Sequence, residues 1–181
     1  MIRLVAVVGP SGAGKDLLMA AAAQSAADVR LARRVITRPS AAGSEDFEGV
    51  SEDEFAAREA RGEFALHWRA HGLGYAIPKA ELAGEGVLLF NCSRQMLGAA
   101  QAQFPDLAVI HVTAPPEIIA QRLAARGRES GADLAARLAR ASLAMPEGLE
   151  LHEVVNDTTP QEGIARFLAA LQPLRGARCS K

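Results

Sequence analysis

The chain has 181 residues, of which 49% are hydrophobic and 23% charged, enough for one domain with a buried core. Twenty basic residues nearly balance 21 acidic ones, and the net charge of -1 predicts no general attraction to nucleic acid or an anionic membrane. The sequence contains no apolar run of the roughly 20 residues that a membrane-spanning helix needs, and no signal peptide is recognised, so we expect a cytoplasmic protein. Aromatic residues make up only 4%, which favours helices with a modest sheet over an all-β fold.

Strand and helix patterns alternate along most of the chain. An apolar, β-branched run at 4–8 predicts a buried strand, and an Ala- and Leu-rich run at 15–27 predicts the helix after it. Further strands are predicted at 87–90, 107–112 and 151–155, and further helices at 94–104, 115–127, 132–144 and 160–171. This order is typical of an α/β fold with a central parallel sheet.

The region at about 34–85 interrupts this alternation and predicts a small α+β insertion. Its elements are expected to be a strand, a loop, a helix and two short strands, at 30–36, 39–44, 51–61, 64–68 and 72–77. The helix is indicated by a capping box, in which Ser51 and Glu54 satisfy each other's backbone N–H groups. The last two strands carry the only Trp and the only Tyr of the chain.

A glycine-rich motif follows the first strand directly. Its residues are Gly9, Pro10, Ser11, Gly12, Ala13, Gly14 and Lys15, which match the P-loop pattern G-x-x-x-x-G-K between a strand and a helix. The glycines let backbone N–H groups point at an anion, and the helix N-terminus adds partial positive charge. The Lys15 ammonium can reach the β and γ phosphates, so the motif predicts a nucleoside triphosphate site with Lys15 as a catalytic residue.

Asp16 stands where a P-loop usually carries the Ser or Thr that binds Mg²⁺. A carboxylate is also a hard oxygen ligand and can bind Mg²⁺ directly or through water. The alternative is an acidic residue that only complements the dipole of the helix start. We expect Asp16 to be linked to the metal, with Mg²⁺ as the cofactor and ATP as the co-substrate.

Two features of the sequence distinguish a kinase from a hydrolase: the residue that ends the strand at 87–90, and a cluster of arginines in the C-terminal third of the chain. In a motor or GTPase an apolar strand normally ends in a metal-binding Asp, whereas the strand at 87–90 ends in Asn91. The cluster comprises Arg122, Arg126, Arg128, Arg137 and Arg140. Arg122 and Arg126 share one helix face, where their repulsion would be relieved by a phosphate; the alternative is a solvated basic face. The pattern favours a small-molecule kinase with a lid at about 126–140.

These motifs together resemble the guanylate kinase family along nearly the whole chain. The resemblance rests on residues 9–15, 37–39, 43–45, 64–75, 122–128 and 154–157. Within that family the sequence is most similar to the ribose 1,5-bisphosphate phosphokinases of phosphonate degradation, on residues 14–16, 36–38, 42–45, 91–94 and 126–129. The resemblance implies a three-layer P-loop kinase fold and ATP-dependent formation of 5-phosphoribosyl 1-diphosphate (PRPP).

The departures from guanylate kinases concern the acceptor. Guanylate kinases have a second phosphate-binding Arg where this chain has Ala41, and a guanine-reading Glu before the Trp where it has His67. The Asp that ends their central strand is Asn91 here, whereas Tyr75 is kept. Because a carboxylate provides much of the discrimination for a base, these changes predict an acceptor without one.

The resemblance also assigns roles to individual residues. Arg126 and Arg137 are expected to be catalytic, by stabilising charge on the migrating phosphoryl group. ATP is expected to bind residues 9–16 and Arg122, with Asn156 near the adenine; the alternative for Asn156 is a purely local role in a turn. Arg38 is the leading candidate for binding an acceptor phosphate, and Ser93 and Arg94 are the next. Glu45, His67, Tyr75 and Asn91 are further candidates for the acceptor site.

Two other functions remain open from the sequence. Arg38 and Tyr75 keep a guanylate or other nucleoside monophosphate kinase as an alternative. Guanylate-kinase-like domains also serve as peptide-binding modules, but those typically lose the P-loop, which is complete here. The expected partners are small-molecule substrates rather than nucleic acid or membrane, and the oligomeric state stays open between a monomer and a homodimer.

Overall fold

The strands and helices follow the predicted alternation. The computed structural model describes residues 2–39, 46–70, 72–125 and 145–176. The strands within these ranges are β1 (Ile2–Val8), β2 (Val29–Leu31), β3 (Arg34–Ile36), β4 (Phe47–Gly49), β5 (Phe64–Ala70), β6 (Leu73–Pro78), β7 (Gly86–Asn91), β8 (Ala108–Thr113) and β9 (Glu150–Val155). The α-helices are α1 (Lys15–Ser25), α2 (Glu52–Ala60), α3 (Leu97–Gln103), α4 (Pro116–Ala125) and α5 (Pro160–Arg175).

The central sheet is parallel throughout and has helices on both faces. Its strand order is β2-β7-β1-β8-β9. On β1, Val5 and Val7 pack toward α1 and α5, whereas Leu4 and Ala6 pack toward α3 and a second, smaller sheet. A strand buried on both faces needs apolar residues at every position, which explains its continuous apolar run. The predicted three-layer α/β fold is confirmed.

The smaller sheet lies within the predicted insertion and has the order β4-β3-β6-β5. Phe55 of α2 packs in a cluster with Val35, Phe64 and Ala76 and so joins the helix to this sheet. The Ser51 hydroxyl accepts a hydrogen bond from the Glu54 N–H at 3.1 Å, as the capping box predicts. The limits of the insertion at 34–85 stay a proposal.

The single strand predicted at 30–36 is wrong, because the structure contains two strands there. β2 pairs with β7 in the central sheet, and β3 pairs with β6 in the smaller one. The Ala32 N–H still donates to the Leu89 carbonyl at 2.9 Å, after which the chain changes sheets. The alternating pattern shows that both segments are extended but carries no information about their different partners.

The C-terminal part of the chain differs from prediction at its element limits. Residues Arg94–Met96 form a 3-10 turn before α3, and α5 continues to Arg175 with Pro173 inside it. The predicted helix at 132–144 and the predicted lid at 126–140 lie outside the described residues. In the ranges that the structure describes, none of the helices has both the length and the apolar character needed to cross a bilayer.

Candidate active site

The P-loop connects the carboxyl end of β1 to the first turn of α1. Gly9, Gly12 and Gly14 have φ angles of 148°, 84° and 91°, which glycine adopts without strain. A Cβ atom on Gly9 would lie 1.9 Å from the Val112 carbonyl oxygen of β8. The loop can follow this path because its glycines have no Cβ atom. Other residues would strain the backbone at these φ angles and, at residue 9, would clash with β8.

Lys15 lies across this loop. Its Nζ donates to the carbonyl oxygens of Gly9 at 2.9 Å and Pro10 at 3.0 Å. These contacts hold the ammonium beside the backbone N–H groups of the loop, where a phosphate would bind. The predicted phosphate-binding role of Lys15 is consistent with this placement.

Asp16 is exposed in the first turn of α1, and its Oδ1 accepts a hydrogen bond from Asn91 Nδ2 at 3.2 Å. The contact forms because β1 and β7 are adjacent, with Val7 opposite Asn91. Among the residues described, no group of three or more His, Cys, Asp or Glu could form a metal cage. A single carboxylate fits Mg²⁺, which keeps several waters and takes phosphate oxygens as further ligands. Asp16 as its ligand stays a prediction.

Asn156 contacts the P-loop directly, and its predicted place near the adenine stays a prediction. Its side chain lies beneath the P-loop, where the residue is 3% exposed, and Nδ2 donates to the Ala13 carbonyl at 2.8 Å. A Cβ on Gly14 would lie 2.5 Å from Asn156 Nδ2, and one on Gly163 of α5 would lie 2.3 Å from its Oδ1. Asn156 therefore positions the P-loop from below, in a space that two glycines leave open.

A cleft of about 400 Å³ opens beside the P-loop, between the central sheet and the smaller sheet. Eight residues predicted from the sequence line it: Gly9, Pro10, Ser11, Lys15, Tyr75, Asn91, Ser93 and Arg94. Five residues that the sequence reasoning did not single out join them: Arg34, Trp68, Ala70, Cys92 and Gln95. The cleft thus brings the predicted triphosphate site next to most of the predicted acceptor side.

Arg34 is the most informative of the residues that sequence reasoning missed. It is 8% exposed, yet its side chain lines the cleft. Its Nη1 donates to the Asn91 carbonyl at 3.1 Å, and its Cζ lies 5.4 Å from the centre of the Tyr75 ring. Tyr75 in turn stacks on Trp68, with ring centres 5.6 Å apart. In the sequence, the only sign of this role is the position of Arg34 in a predicted strand, directly before the apolar pair Val35 and Ile36.

Burial is the main cause of the pKa shifts of three groups in and near the cleft. Burial raises the pKa of the Cys92 thiol to about 12, against a smaller opposite effect of Arg34, so the thiol stays protonated. Burial also lowers the pKa of Arg94, whose guanidinium remains charged at neutral pH. His111 of β8 lies near Arg94 and Lys15, and burial, followed by the charge of Arg94, lowers its pKa.

The lowered pKa of His111 predicts a pH dependence of stability. Because its pKa is lower in the folded than in the unfolded state, the unfolded chain binds the extra proton first as the pH falls below about 6.5. The free energy of unfolding should therefore decrease between about pH 7 and pH 5.5, above the range where carboxylates titrate. Urea unfolding of wild type and His111→Gln at both pH values measures this, and the variant should show the weaker decrease. Identical pH profiles would contradict the assignment.

Two predicted acceptor residues do not line the cleft. The guanidinium of Arg38 packs over the Phe47 ring at 4.4 Å, toward the outer strand β4 of the smaller sheet. His67 has a side chain that is 47% exposed, and its Nδ1 lies 3.3 Å from Glu59 Oε1 of α2. Successive side chains of β5 point to opposite faces, so His67 faces away from the cleft that Trp68 and Ala70 line. The predicted acceptor contact of His67 is not supported by this geometry.

The remaining predicted residues lie at the edge of the site or beyond the described ranges. Arg122 projects from α4, and its Nη1 is buried without a hydrogen-bond partner among the described residues. Its charge contributes to the lowered pKa of Asp157, after the larger effect of Arg166. Glu45, Arg126 and Arg137 fall outside the described residues, and their roles stay predictions.

The fold and the P-loop together define the class of protein. The structure resembles a guanylate kinase from Anaplasma phagocytophilum with a TM-score of 0.70, over 98% of this chain and 88% of that one, at 20% identity. At this identity the likeness shows the fold alone. With the P-loop and its lysine in place, the chain has the architecture of the P-loop kinases. No family model matches it.

Sequence relatives define the family more narrowly. The chain is 51% identical over 176 residues to the ribose 1,5-bisphosphate phosphokinase PhnN of Ruegeria sp. (strain TM1040), which covers 95% of this chain and 93% of that protein. It is 46% identical over 177 residues to the protein of the same name from Rhizobium etli (strain CIAT 652), over 94% and 90% of the two chains. The chain therefore belongs to the ribose 1,5-bisphosphate phosphokinase family, as the sequence motifs predicted.

Proposed function

We propose that this protein transfers the γ-phosphoryl group of ATP to ribose 1,5-bisphosphate and releases PRPP and ADP. The observation that carries the proposal is the match to two ribose 1,5-bisphosphate phosphokinases over nearly their whole lengths. The intact P-loop, with Lys15 held beside it and a cleft alongside, supports the same reaction.

In the proposed reaction one phosphorus–oxygen bond forms and one breaks. A terminal oxygen of the 1-phosphate attacks the γ phosphorus, and the bond from that phosphorus to the bridging oxygen breaks, so that ADP leaves with the electron pair. The attacking oxygen is already anionic, and catalysis therefore needs positioning and charge stabilisation rather than a strong base. Lys15 and the loop N–H groups would hold the β and γ phosphates, with Ser93 and Arg94 on the acceptor side of the cleft.

We further propose a metal ligand, two lid arginines, a domain organisation and a cellular location for this enzyme. Asp16 would hold Mg²⁺, which supplies positive charge between the phosphate groups when bound. Arg126 and Arg137 would stabilise the migrating phosphoryl group from a lid at about 126–140. We also propose one domain over 1–181, a cytoplasmic location and small-molecule partners.

A phosphorus NMR assay tests the reaction directly. The protein is incubated with ATP and Mg²⁺ and with either ribose 1,5-bisphosphate or GMP in parallel tubes, and a third tube contains EDTA. The expected result is a diphosphate signal on the sugar, unchanged GMP, and no reaction with EDTA. Preferential conversion of GMP would overturn the proposal in favour of a nucleoside monophosphate kinase.

A further inference from the structure

We infer that Arg34 binds the phosphate of the acceptor that does not react, and that it makes the cleft select a sugar with two phosphates over a sugar with one. The inference rests on the proposed function and goes beyond it, since it names the residue that sets acceptor specificity. Arg34 begins β3, directly after the chain has passed from the central sheet to the smaller one. It therefore lies where the two walls of the cleft meet.

The side chain of Arg34 is largely buried, and its contacts hold the guanidinium in one orientation at the cleft. The Asn91 carbonyl accepts from Nη1 at 3.1 Å, and the guanidinium lies over Tyr75, which is itself stacked on Trp68. Hydrogen bonding and ring packing together fix the plane of the group, so little side-chain entropy remains to be lost when a ligand binds. A fixed guanidinium fork matches the oxygens of a phosphate and can donate two hydrogen bonds to it.

The charges around the cleft assign its two walls to different phosphates. The reacting 1-phosphate must lie at the P-loop, in line with the γ phosphate that Lys15 contacts. Arg94 belongs to the same side, because it lies just after β7, the neighbour of β1 in the central sheet, and lines the cleft together with Lys15. Arg34 lies where the two walls meet, with its guanidinium over Tyr75 of the second wall, which Trp68 and Tyr75 of the smaller sheet form. In ribose 1,5-bisphosphate the phosphates leave the furanose ring at C1 and, through the exocyclic C5, at C4, the two carbons on either side of the ring oxygen. An acceptor with its 1-phosphate at the P-loop can therefore present its 5-phosphate to that second wall.

The test compares Arg34→Met with the matched control Arg33→Met. Arg33 is the neighbouring residue, exposed and paired with Asp46 at 3.2 Å, and it does not line the cleft. We expect Arg34→Met to raise the KM for ribose 1,5-bisphosphate about 10- to 100-fold, the usual effect of losing charge-assisted hydrogen bonds. The kcat and the KM for ATP should change little. Arg33→Met should behave like wild type.

Direct binding of ribose 5-phosphate provides a second measurement that does not require turnover. This sugar carries only the phosphate assigned to Arg34, and calorimetry should show its affinity falling by a similar factor in Arg34→Met. Arg34→Lys keeps the charge but loses the fork, and it should weaken binding by a smaller factor. If Arg34→Met does not give a cooperative thermal transition, Arg34→Lys provides the comparison.

Several results would overturn the inference. One is a folded Arg34 variant with wild-type KM and wild-type affinity for ribose 5-phosphate. Another is a lower kcat at unchanged KM, which would place Arg34 on the reacting phosphate. A separate result distinguishes the two proposals: a wild-type protein that binds ribose 5-phosphate through Arg34 but does not convert ribose 1,5-bisphosphate would contradict the proposed function and leave only the contact between Arg34 and a sugar phosphate.

Discussion

Replacing Lys15 by Ala should reduce kcat at least about 1,000-fold while the protein stays folded. Lys15 Nζ lies within 3.0 Å of two carbonyl oxygens of the P-loop, so its charge is fixed where the β and γ phosphates would lie. Preorganised positive charge of this kind stabilises the transition state, and removing a single such group typically costs about 100- to 1,000-fold in kcat. We place Lys15 at or beyond the upper end of that range because it would contact both phosphates. ADP release from ATP and ribose 1,5-bisphosphate measures the rate.

Lys79→Ala is the matched control for this variant. Lys79 is exposed, belongs to the turn Lys79–Leu82 after β6, and does not line the cleft. It should retain wild-type activity, and both variants should melt within a few degrees of wild type. Substantial transfer by a folded Lys15→Ala protein would show that the phosphates bind elsewhere and that the P-loop was misassigned.

Local sequence patterns predicted the elements that position the triphosphate site. The run from Leu4 to Val8 is apolar at every position because both faces of β1 are covered, and Gly9, Gly12 and Gly14 occur where the backbone needs positive φ. Both signals depend on neighbours close in sequence. They therefore specify the strand, the loop and the start of α1 without information about distant contacts.

The acceptor side was predicted less well because it depends on which strands pair. His67 was predicted to bind the acceptor because it precedes Trp68. Adjacent side chains on a strand point to opposite faces, and Trp68 lines the cleft whereas His67 does not. Arg34 was missed because its role follows from the passage between two sheets, which brings it to Asn91, 57 residues away. Period-2 alternation identifies two faces of a strand but not which face lines the site.

The support beneath the P-loop was also beyond the reach of local patterns. Asn156 follows β9, far from the P-loop in sequence, and reaches Ala13 only because β9 is an outer strand of the same parallel sheet. Gly14 and Gly163 leave the space that its amide occupies. The three residues form one packed unit, so the position of the phosphate site depends on α5 as well as on β1 and α1.

Gly9→Ala should cause the largest loss of stability among the substitutions considered. A Cβ at residue 9 would lie 1.9 Å from the Val112 carbonyl oxygen, and the φ of 148° is one that L residues rarely adopt. Both obstacles involve backbone atoms, which cannot move aside as a flexible side chain can. We expect the free energy of unfolding to fall by about 3 kcal/mol or more, together with loss of ATP binding, because the loop must move away from β8.

Gly98→Ala separates this effect from the general cost of removing a glycine. Gly98 lies in α3, where an added Cβ would meet no atom within 4 Å outside its own helix. Its replacement should leave stability unchanged or raise it by up to about 1 kcal/mol, because Ala has the higher helix propensity and restricts the unfolded chain. Urea unfolding of both variants beside wild type measures the contrast. Equal stabilities of the two variants would show that the contact between the P-loop and β8 yields readily, in which case the loop does not owe its position to the glycine.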